Sequence, residues 1–317
     1  TFDDYEVILV DDGSTDSSGK ICDDFCATHD KFKVIHKQNE GALRTRLFGK
    51  KIANGDYFVS IDSDDYVDIN MLNTLYQKLK QFNYPDIICF NLCNVIDGIK
   101  SVPQDSFKTQ KLYKDSNINE IFKEVLTTYK FNSMCKKAIK MNLFKKDNTD
   151  YSKDISNQGE DIAISLFPIF NSKSIAVIND VLYYYRQNPF STTHKQIELY
   201  DIEKYNIVGI TELKLSYIDE YNLDKNLKNH VLLICVKNLK EIFIRSGLYA
   251  EKQHRLKPLI NYDWNTFLPK NYTINNIKKK VHNLKFSDKL IINVIKIKNI
   301  FYTKIVFFLY KIFYKIS

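Results

Sequence analysis

Residues 5–20 read Tyr5-Glu6-Val7-Ile8-Leu9-Val10-Asp11-Asp12-Gly13-Ser14-Thr15-Asp16-Ser17-Ser18-Gly19-Lys20. An apolar, β-branched run stops at two carboxylates and then passes through glycine and hydroxyl residues to Gly-Lys. That is the outline of a strand feeding a phosphate-cradling loop. Its details exclude the Walker loop: five residues separate Gly13 from Gly19, one too many, and Ile21 follows Lys20 where a magnesium-binding hydroxyl is needed. A dinucleotide turn fails too, because no Gly-x-Gly-x-x-Gly follows the strand. What remains is a pair of carboxylates at a strand end, able to accept hydrogen bonds from a base N–H or from ribose hydroxyls.

Outward from this stretch, short apolar runs alternate with helical patterns. The spacing predicts a strand over 5–10, a helix over 18–29, a strand over 32–36 and a helix over 42–53 closed by Asn54-Gly55-Asp56. A further strand over 57–61 ends in Ile61-Asp62-Ser63-Asp64-Asp65. A helix over 69–82 then carries Met71, Leu72, Leu75 and Leu79 on one stripe, and Pro85 leads into a strand over 86–91. Such alternation implies an α/β fold with a mostly parallel sheet flanked by helices, whose ligands bind beyond the carboxyl ends of the strands. Both acidic clusters lie at such ends. Beyond residue 95 the pattern predicts a polar, irregular stretch over 101–116, helices over 118–129 and 161–170, and a strand pair over 174–185. From 196 onward helical periodicity dominates. The expected organisation is therefore an α/β domain over 1–195, split near 95, and a mainly helical region over 196–317.

The 317 residues are 44% hydrophobic and 26% charged, ordinary for a folded protein. The net charge is +8, but residues 284–317 hold seven lysines against the single acid Asp288, leaving only about +2 for the rest. That distribution argues against a broad nucleic-acid surface. The six cysteines form no Cys-x-x-Cys and no zinc spacing, which suits reduced thiols in a cytoplasmic protein. The four-residue spacing of Cys22 and Cys26, and of Cys89 and Cys93, would place each pair on one buried helix face.

In an extended segment Asp62 and Asp64 point to the same side, and two converging carboxylates form a hard-oxygen site for Mg²⁺ or Mn²⁺. Tyr66 stands where a haloacid-dehalogenase phosphatase needs Thr or Val, and Val67 where a calcium hand needs glycine, so neither motif applies. An acidic, solvated turn remains the bland alternative.

The blocks "DYEVILVDDGSTDSS" (4–18), "NEGALRTRLFGKKIANGDYFVSIDSDD" (39–65) and "GEDI" (159–162) together resemble glycosyltransferase family 2. The resemblance covers residues 1 to about 192 and implies a GT-A fold. It also implies transfer of a sugar from a nucleoside diphosphate donor, usually UDP-linked, with inversion at the anomeric carbon. Residue by residue, it implies that Asp11 and Asp12 contact uracil and ribose, and that Arg46 reaches the base or the phosphates. Asp62 and Asp64 match the metal motif, with Asp64 ahead of Asp62 as direct ligand, and Ser63 between them goes with the donor-binding residues. Asp161 matches the general base, and Arg186, followed by Ser191 and Thr192, a segment that closes over the diphosphate. The family's ARN block here reads Thr45-Arg46-Leu47, so that match rests on Arg46 alone. Family members open with a further strand and helix, so the resemblance implies that this part of the domain is missing from the sequence.

The chemistry stands without the family. An acceptor hydroxyl is a poor nucleophile, so a carboxylate from a separate segment must take its proton, and Asp161 at a predicted helix start fits. A helix-capping role for Glu160 and Asp161 is the alternative, and His194 reads as structural. The tail from Leu290 mixes aliphatic and aromatic residues with Lys296, Lys298, Lys304, Lys311 and Lys315, in uncharged runs too short to span a bilayer. It suits either an anionic membrane face or a terminal helix packed on the core, and the family resemblance favours the membrane, because it implies lipid-linked acceptors on the cytoplasmic leaflet. The expectation is thus a metal-dependent enzyme of bacterial surface-polysaccharide synthesis, peripheral to the inner face of the membrane. An inactive scaffold of the same fold and a sugar-1-phosphate nucleotidyltransferase are the competing readings.

Overall fold

The computed structural model describes residues 2–151, 159–186, 208–252 and 256–314. The chain divides into two compact units, Thr1–Thr149 with Glu160–Asn188, and Asp150–Gly159 with Pro189–Ser317.

In the first unit, β1 (Val7–Asp11), α1 (Ser18–Cys26), β2 (Phe32–His36) and α2 (Ala42–Ile52) follow in the order the periodicity predicts. β1 and β2 pair in parallel from Val7 opposite Phe32 to Asp11 opposite His36, as a two-stranded sheet of their own. Then come β3 (Tyr57–Phe58), β4 (Tyr66–Val67), α3 (Met71–Gln81), β5 (Ile87–Ile96), β6 (Ile99–Ser101), β7 (Lys111–Lys114), α4 (Ile118–Thr127), β8 (Lys137–Lys140), α5 (Met141–Lys145), α6 (Glu160–Asn171) and β9 (Ser174–Arg186). These strands build a seven-stranded sheet in the order β3-β8-β5-β9-β4, with β6 added to β5 and β7 to β9.

The α/β class holds, and the pairing is mixed. β5 and β9 run parallel, while β8, β6, β7, β3 and β4 pair antiparallel with their neighbours. Three local expectations change. The ladder after Asp56 stops at Phe58, so Val59–Ile61 lie outside it. The stretch expected to be irregular over 101–116 contributes β7, and 174–186 is one long strand rather than a pair. Cys89 and Cys93 are buried on β5, whereas Cys22 and Cys26 on α1 are only part-buried, because nothing in α1 is fully covered.

The core explains why the sheet forms here. The α3 stripe of Met71, Leu75 and Leu79 packs on Ile88, Phe90, Ala176 and Ile178, each side chain larger than alanine contributing about 1.5–3 kcal/mol by leaving water. Where β5 and β9 slip register around Asn91, its amide bonds the carbonyls of Phe107 and Asn179 and accepts the Phe107 N–H. The bulge thus leaves no polar group of that side chain stranded.

The second unit is helical, as expected: α7 (Val208–Glu220), α8 (Asn226–Lys252), α9 (Leu256–Asn261), α10 (Ile277–Lys280), α11 (Phe286–Ile297) and α12 (Ile300–Tyr314). Its core gathers Phe243, Trp264, Phe267, Ile291 and Phe307. Gly247 lets α12 approach α8, since a Cβ there would lie 2.0 Å from the Phe307 ring. No helix among the described residues is long and apolar enough to cross a membrane. Ser191, Thr192, His194 and Lys315 lie outside the described residues.

Candidate functional site

The first acidic cluster is tied inward. Asp11 ends β1, accepts the Ser14 N–H at 2.9 Å and lies 2.7 Å from His36 Nδ1. The Ser14 hydroxyl, then the His36 ring, hold its carboxyl down at about 2. Asp12 accepts Lys37 Nζ at 2.6 Å and the N–H groups of Glu40 and Gly41 at 3.0 and 2.8 Å. Burial works against its charge, yet Lys37 and these N–H groups win and its pKa falls. Gly41 caps α2 at φ 85°, a left-handed conformation that favours glycine. Asp12 therefore fixes the amino end of α2, where a negative charge also suits the helix dipole.

One turn into α2 stands Arg46. Its guanidinium bonds Asp62 Oδ1 at 2.7 Å and Glu160 Oε1 at 3.1 Å, and lies 3.5 Å from Asp161 Oδ1. Burial alone would lower its pKa, but Asp161 and Asp62 outweigh that and raise it. One arginine thus joins the start of the DSDD segment to the start of α6, with a sequence separation of 114 between Arg46 and Glu160.

The DSDD segment is in turn fastened to β9. Tyr183 OH donates to Asp65 Oδ2 at 2.6 Å and accepts the Asp62 N–H at 3.2 Å. The Arg186 N–H donates to Asp65 Oδ1 at 2.8 Å, and Arg186 Nε donates to the Asp64 carbonyl. Burial pushes the Asp65 carboxyl above its ordinary value despite these donors. Ser63 and Asp64 are exposed at the rim.

Asp161, on the first turn of α6, accepts the Met134 N–H through Oδ2 at 3.1 Å, while its buried Oδ1 accepts no hydrogen bond. Cys135, next along, donates from Sγ to Asp62 Oδ2 at 3.4 Å. A cleft of about 340 Å³ is lined by Asp62, Asp65, Asp161, Ser133, Cys135 and the sheet residues Leu92, Asn94, Tyr183 and Tyr185. Leu92 pairs with Tyr183 and Asn94 with Tyr185, so by strand alternation these four share the face on which the cleft opens.

The structure therefore brings Arg46, Asp62, Asp65, Asp161 and Arg186 into one constellation and leaves Asp11 and Asp12 as organisers of the neighbouring loops. A divalent cation was expected at Asp62 and Asp64. Among the described residues no group of three or more His, Cys, Asp or Glu side chains converges for a metal. The donor set still fits a hard cation completed by phosphate and water oxygens: Asp64 offers an exposed carboxylate outside every hydrogen bond and ion pair among the described residues, beside Asp62. Sequence reasoning did not find Tyr183, Cys135 or Ser133. Tyr183 sits in a run of three tyrosines whose alternation alone marks one face, and nothing around Cys135 forms a motif.

Residues 1–144 match the family described as "Glycosyl transferase family 2", a span that ends before Asp161 and Arg186. The chain is similar to the glycosyltransferase GlyG of Streptococcus pneumoniae, 32% identical over 206 residues, covering 63% of this chain and 66% of that one. It is also similar to EpsJ of Bacillus subtilis, an uncharacterised glycosyltransferase, at 28% over 193 residues, covering 61% of this chain and 56% of that one. The poly(ribitol-phosphate) beta-glucosyltransferase of Bacillus spizizenii is 30% identical over 185 residues, covering 58% of this chain and 27% of that protein. The chain thus spans no more than 66% of the length of these relatives. Among solved structures, S. aureus TarS 1-349 in complex with UDP-GlcNAc aligns with a TM-score of 0.60 at 20% identity, over 96% of this chain and 82% of that one. At that identity the likeness is one of fold.

Proposed function

We propose, on the premise that this chain belongs to glycosyltransferase family 2, that it moves a sugar from a UDP-linked donor to a hydroxyl of a glycan or lipid-linked acceptor, with inversion. The observation that carries this reading is the cleft in which Asp161 Oδ1, buried and without a hydrogen bond, shares one arginine with Asp62. An oxygen with unspent acceptor capacity, from a segment separate from the DSDD cluster, is what a general base for an acceptor hydroxyl requires.

In this reading Asp161 takes the proton as the acceptor oxygen bonds the anomeric carbon. The bond from that carbon to the diphosphate breaks on the opposite face, and the electron pair leaves with UDP. Asp11 and Asp12 hold the loops around the nucleoside, Arg46 and Arg186 supply positive charge near the diphosphate, and Ser63 lies on the same rim. Asp64, with Asp62 beside it, would hold Mn²⁺ or Mg²⁺, which when bound offsets charge on the leaving group. A hexose or N-acetylhexosamine as the moved sugar, and a surface, capsular or exopolysaccharide as the product, extend the same reading. The B. spizizenii relative, named for glucosylating poly(ribitol-phosphate), supports a polymeric acceptor.

The test is calorimetric titration with UDP, with and without Mn²⁺, on the wild type, Asp64→Ala and Asp161→Asn. Metal-assisted binding should be lost in Asp64→Ala and kept in Asp161→Asn, while sugar transfer in Asp161→Asn should fall by about 10²–10⁴-fold. A folded chain indifferent to UDP sinks the reading. The exposed face of α12, with Ile300, Phe301, Ile305, Phe308 and Leu309 beside Lys298 and Lys304, is the part we assign to the anionic inner membrane surface. Co-sedimentation with phosphatidylglycerol vesicles, reduced in Phe301→Ser/Phe308→Ser, is the measurement that checks it.

A further inference from the structure

Lys137 opens β8 at 1% exposure, and among the described residues no carboxylate pairs with it. An ammonium removed from water without a counter-ion costs several kcal/mol, so a lysine that served only to fill the sheet would be outdone by an apolar residue of the same length. Ala138 and Ile139, its neighbours on β8, already bury the strand. The cost of burying Lys137 has to be offset by what its ammonium does.

What it does is donate to the carbonyl of Ser133. Ser133 stands at the head of the short 3₁₀ turn Met134–Lys136 and accepts the Cys135 N–H through its hydroxyl at 3.2 Å. The two residues that follow both touch cleft carboxylates: Met134 N–H donates to Asp161 Oδ2 at 3.1 Å, and Cys135 Sγ to Asp62 Oδ2 at 3.4 Å. Ser165 closes the arrangement from α6, its hydroxyl lying 2.6 Å from the Asp161 carbonyl and 3.0 Å from Met134 Sδ. Apart from the Arg46 ion pair, the Met134 N–H is the hydrogen bond given to the Asp161 carboxylate among the described residues. If the turn shifts, that carboxylate loses its directional anchor.

We infer that Lys137 is a positioning residue for Asp161, acting through the Ser133 carbonyl and the Met134 N–H. The inference rests on the transferase reading above for its kinetic consequence and on geometry alone for its structural one. Burial lowers the lysine's pKa to about 8, which leaves it mainly charged at neutral pH. A charge-assisted donor is stronger than a neutral one, which is reason for a buried lysine to be used here.

The experiment compares Lys137→Met and Lys137→Gln with the wild type by thermal melting, UDP titration, steady-state transfer kinetics and deuterium exchange at the Met134 amide. Lys137→Met should remain folded and bind UDP within about twofold of wild type, with kcat about 10–100-fold lower and donor KM little changed, as a misaligned base predicts. Lys137→Gln, which keeps a donor toward Ser133, should recover part of kcat. The Met134 amide should exchange faster in Lys137→Met. A folded Lys137→Met with wild-type kcat overturns the inference, as does equal slowing in the two variants. Should Lys137→Met unfold, a folded Lys137→Gln whose kcat falls while the Met134 amide keeps its wild-type protection overturns it in its place. A wild type that ignores UDP refutes the transferase reading instead, and the exchange rate at Met134 then decides the positioning role by itself.

Discussion

Asp11 and Asp12 end a strand in which no side chain is fully buried, whereas Asp62 to Asp65 lie against a sheet whose Ile87, Ile88 and Ile175 are 0% exposed. The β1–α1–β2 segment is fastened by polar ties. Glu6 accepts the N–H groups of Asn54 and Gly55, Asp11 engages Ser14 and His36, and Asp12 engages Lys37, Glu40 and Gly41. The second cluster is tied to the sheet core through the buried Tyr183, whose ring belongs to the core and whose hydroxyl reaches Asp65 and the Asp62 N–H, beside the contacts of Arg46, Arg186 and Cys135. Apolar burial resists change in pH and yields to lost volume, while a carboxylate network yields to lost partners and to protons.

Removing volume from the sheet is the harshest way to break the contrast. Ile88→Ala, fully buried near the start of β5, should cost about 2–5 kcal/mol in urea denaturation, through lost transfer energy and the cavity left behind. Loss below about 1 kcal/mol would mean the sheet collapses onto the gap as easily as a surface site does, and the contrast would fail. Asp12→Ala should act on a smaller scale and locally. It removes a charged acceptor from two N–H groups and from Lys37, worth about 1–3 kcal/mol to the loop that starts α2. The amides of Glu40 and Gly41 should exchange clearly faster while β5 amides keep their protection. Uniform loss of protection across both sheets would show that the segment is not the separate, polar-held element its bonding describes.

The same contrast decides how much could be read from the sequence. The α/β alternation, the acidic strand ends and the start of α6 were legible, because each is local: β-branched runs, a glycine turn, an acidic first turn. The mixed pairing was not, since the direction of β8 and β4 depends on where strands 48 or more residues away settle in the sheet. Nor were Tyr183 and Cys135. Their roles come from β9 and the 133–135 turn being brought to Asp62 across separations of 121 and 73 residues, and periodicity does not report such pairings. Lys137 carries the point furthest. A lysine beside another lysine reads as a solvated pair, and only the sheet around it turns it inward.

The mildest test of the polar-held region is a titration. His36 Nδ1 lies 2.7 Å from Asp11 and Nε2 3.1 Å from Asp23, so a ring protonated on both nitrogens donates to both, and a neutral ring must give one bond up. Asp11 first, then Asp23, raises the His36 pKa above its ordinary 6.5. The stabilisation is therefore complete below 6.5 and is lost as pH climbs through the raised value. Asp11 has the opposite sign: with its pKa lowered from 3.8 to about 2, its contribution is present above 3.8 and disappears as pH falls toward 2. Between those limits, from about pH 3.8 to 6.5, the β1–β2 pair should be held by both. NMR titration of His36 should show a raised pKa in the wild type, a return toward 6.5 in Asp11→Asn, and a smaller return in Asp23→Asn. A ring that titrates at its ordinary value in all three proteins would mean that the strand pair is held without it, leaving Glu6, Asp12 and the Ser14 cap of Asp11 as its fastenings.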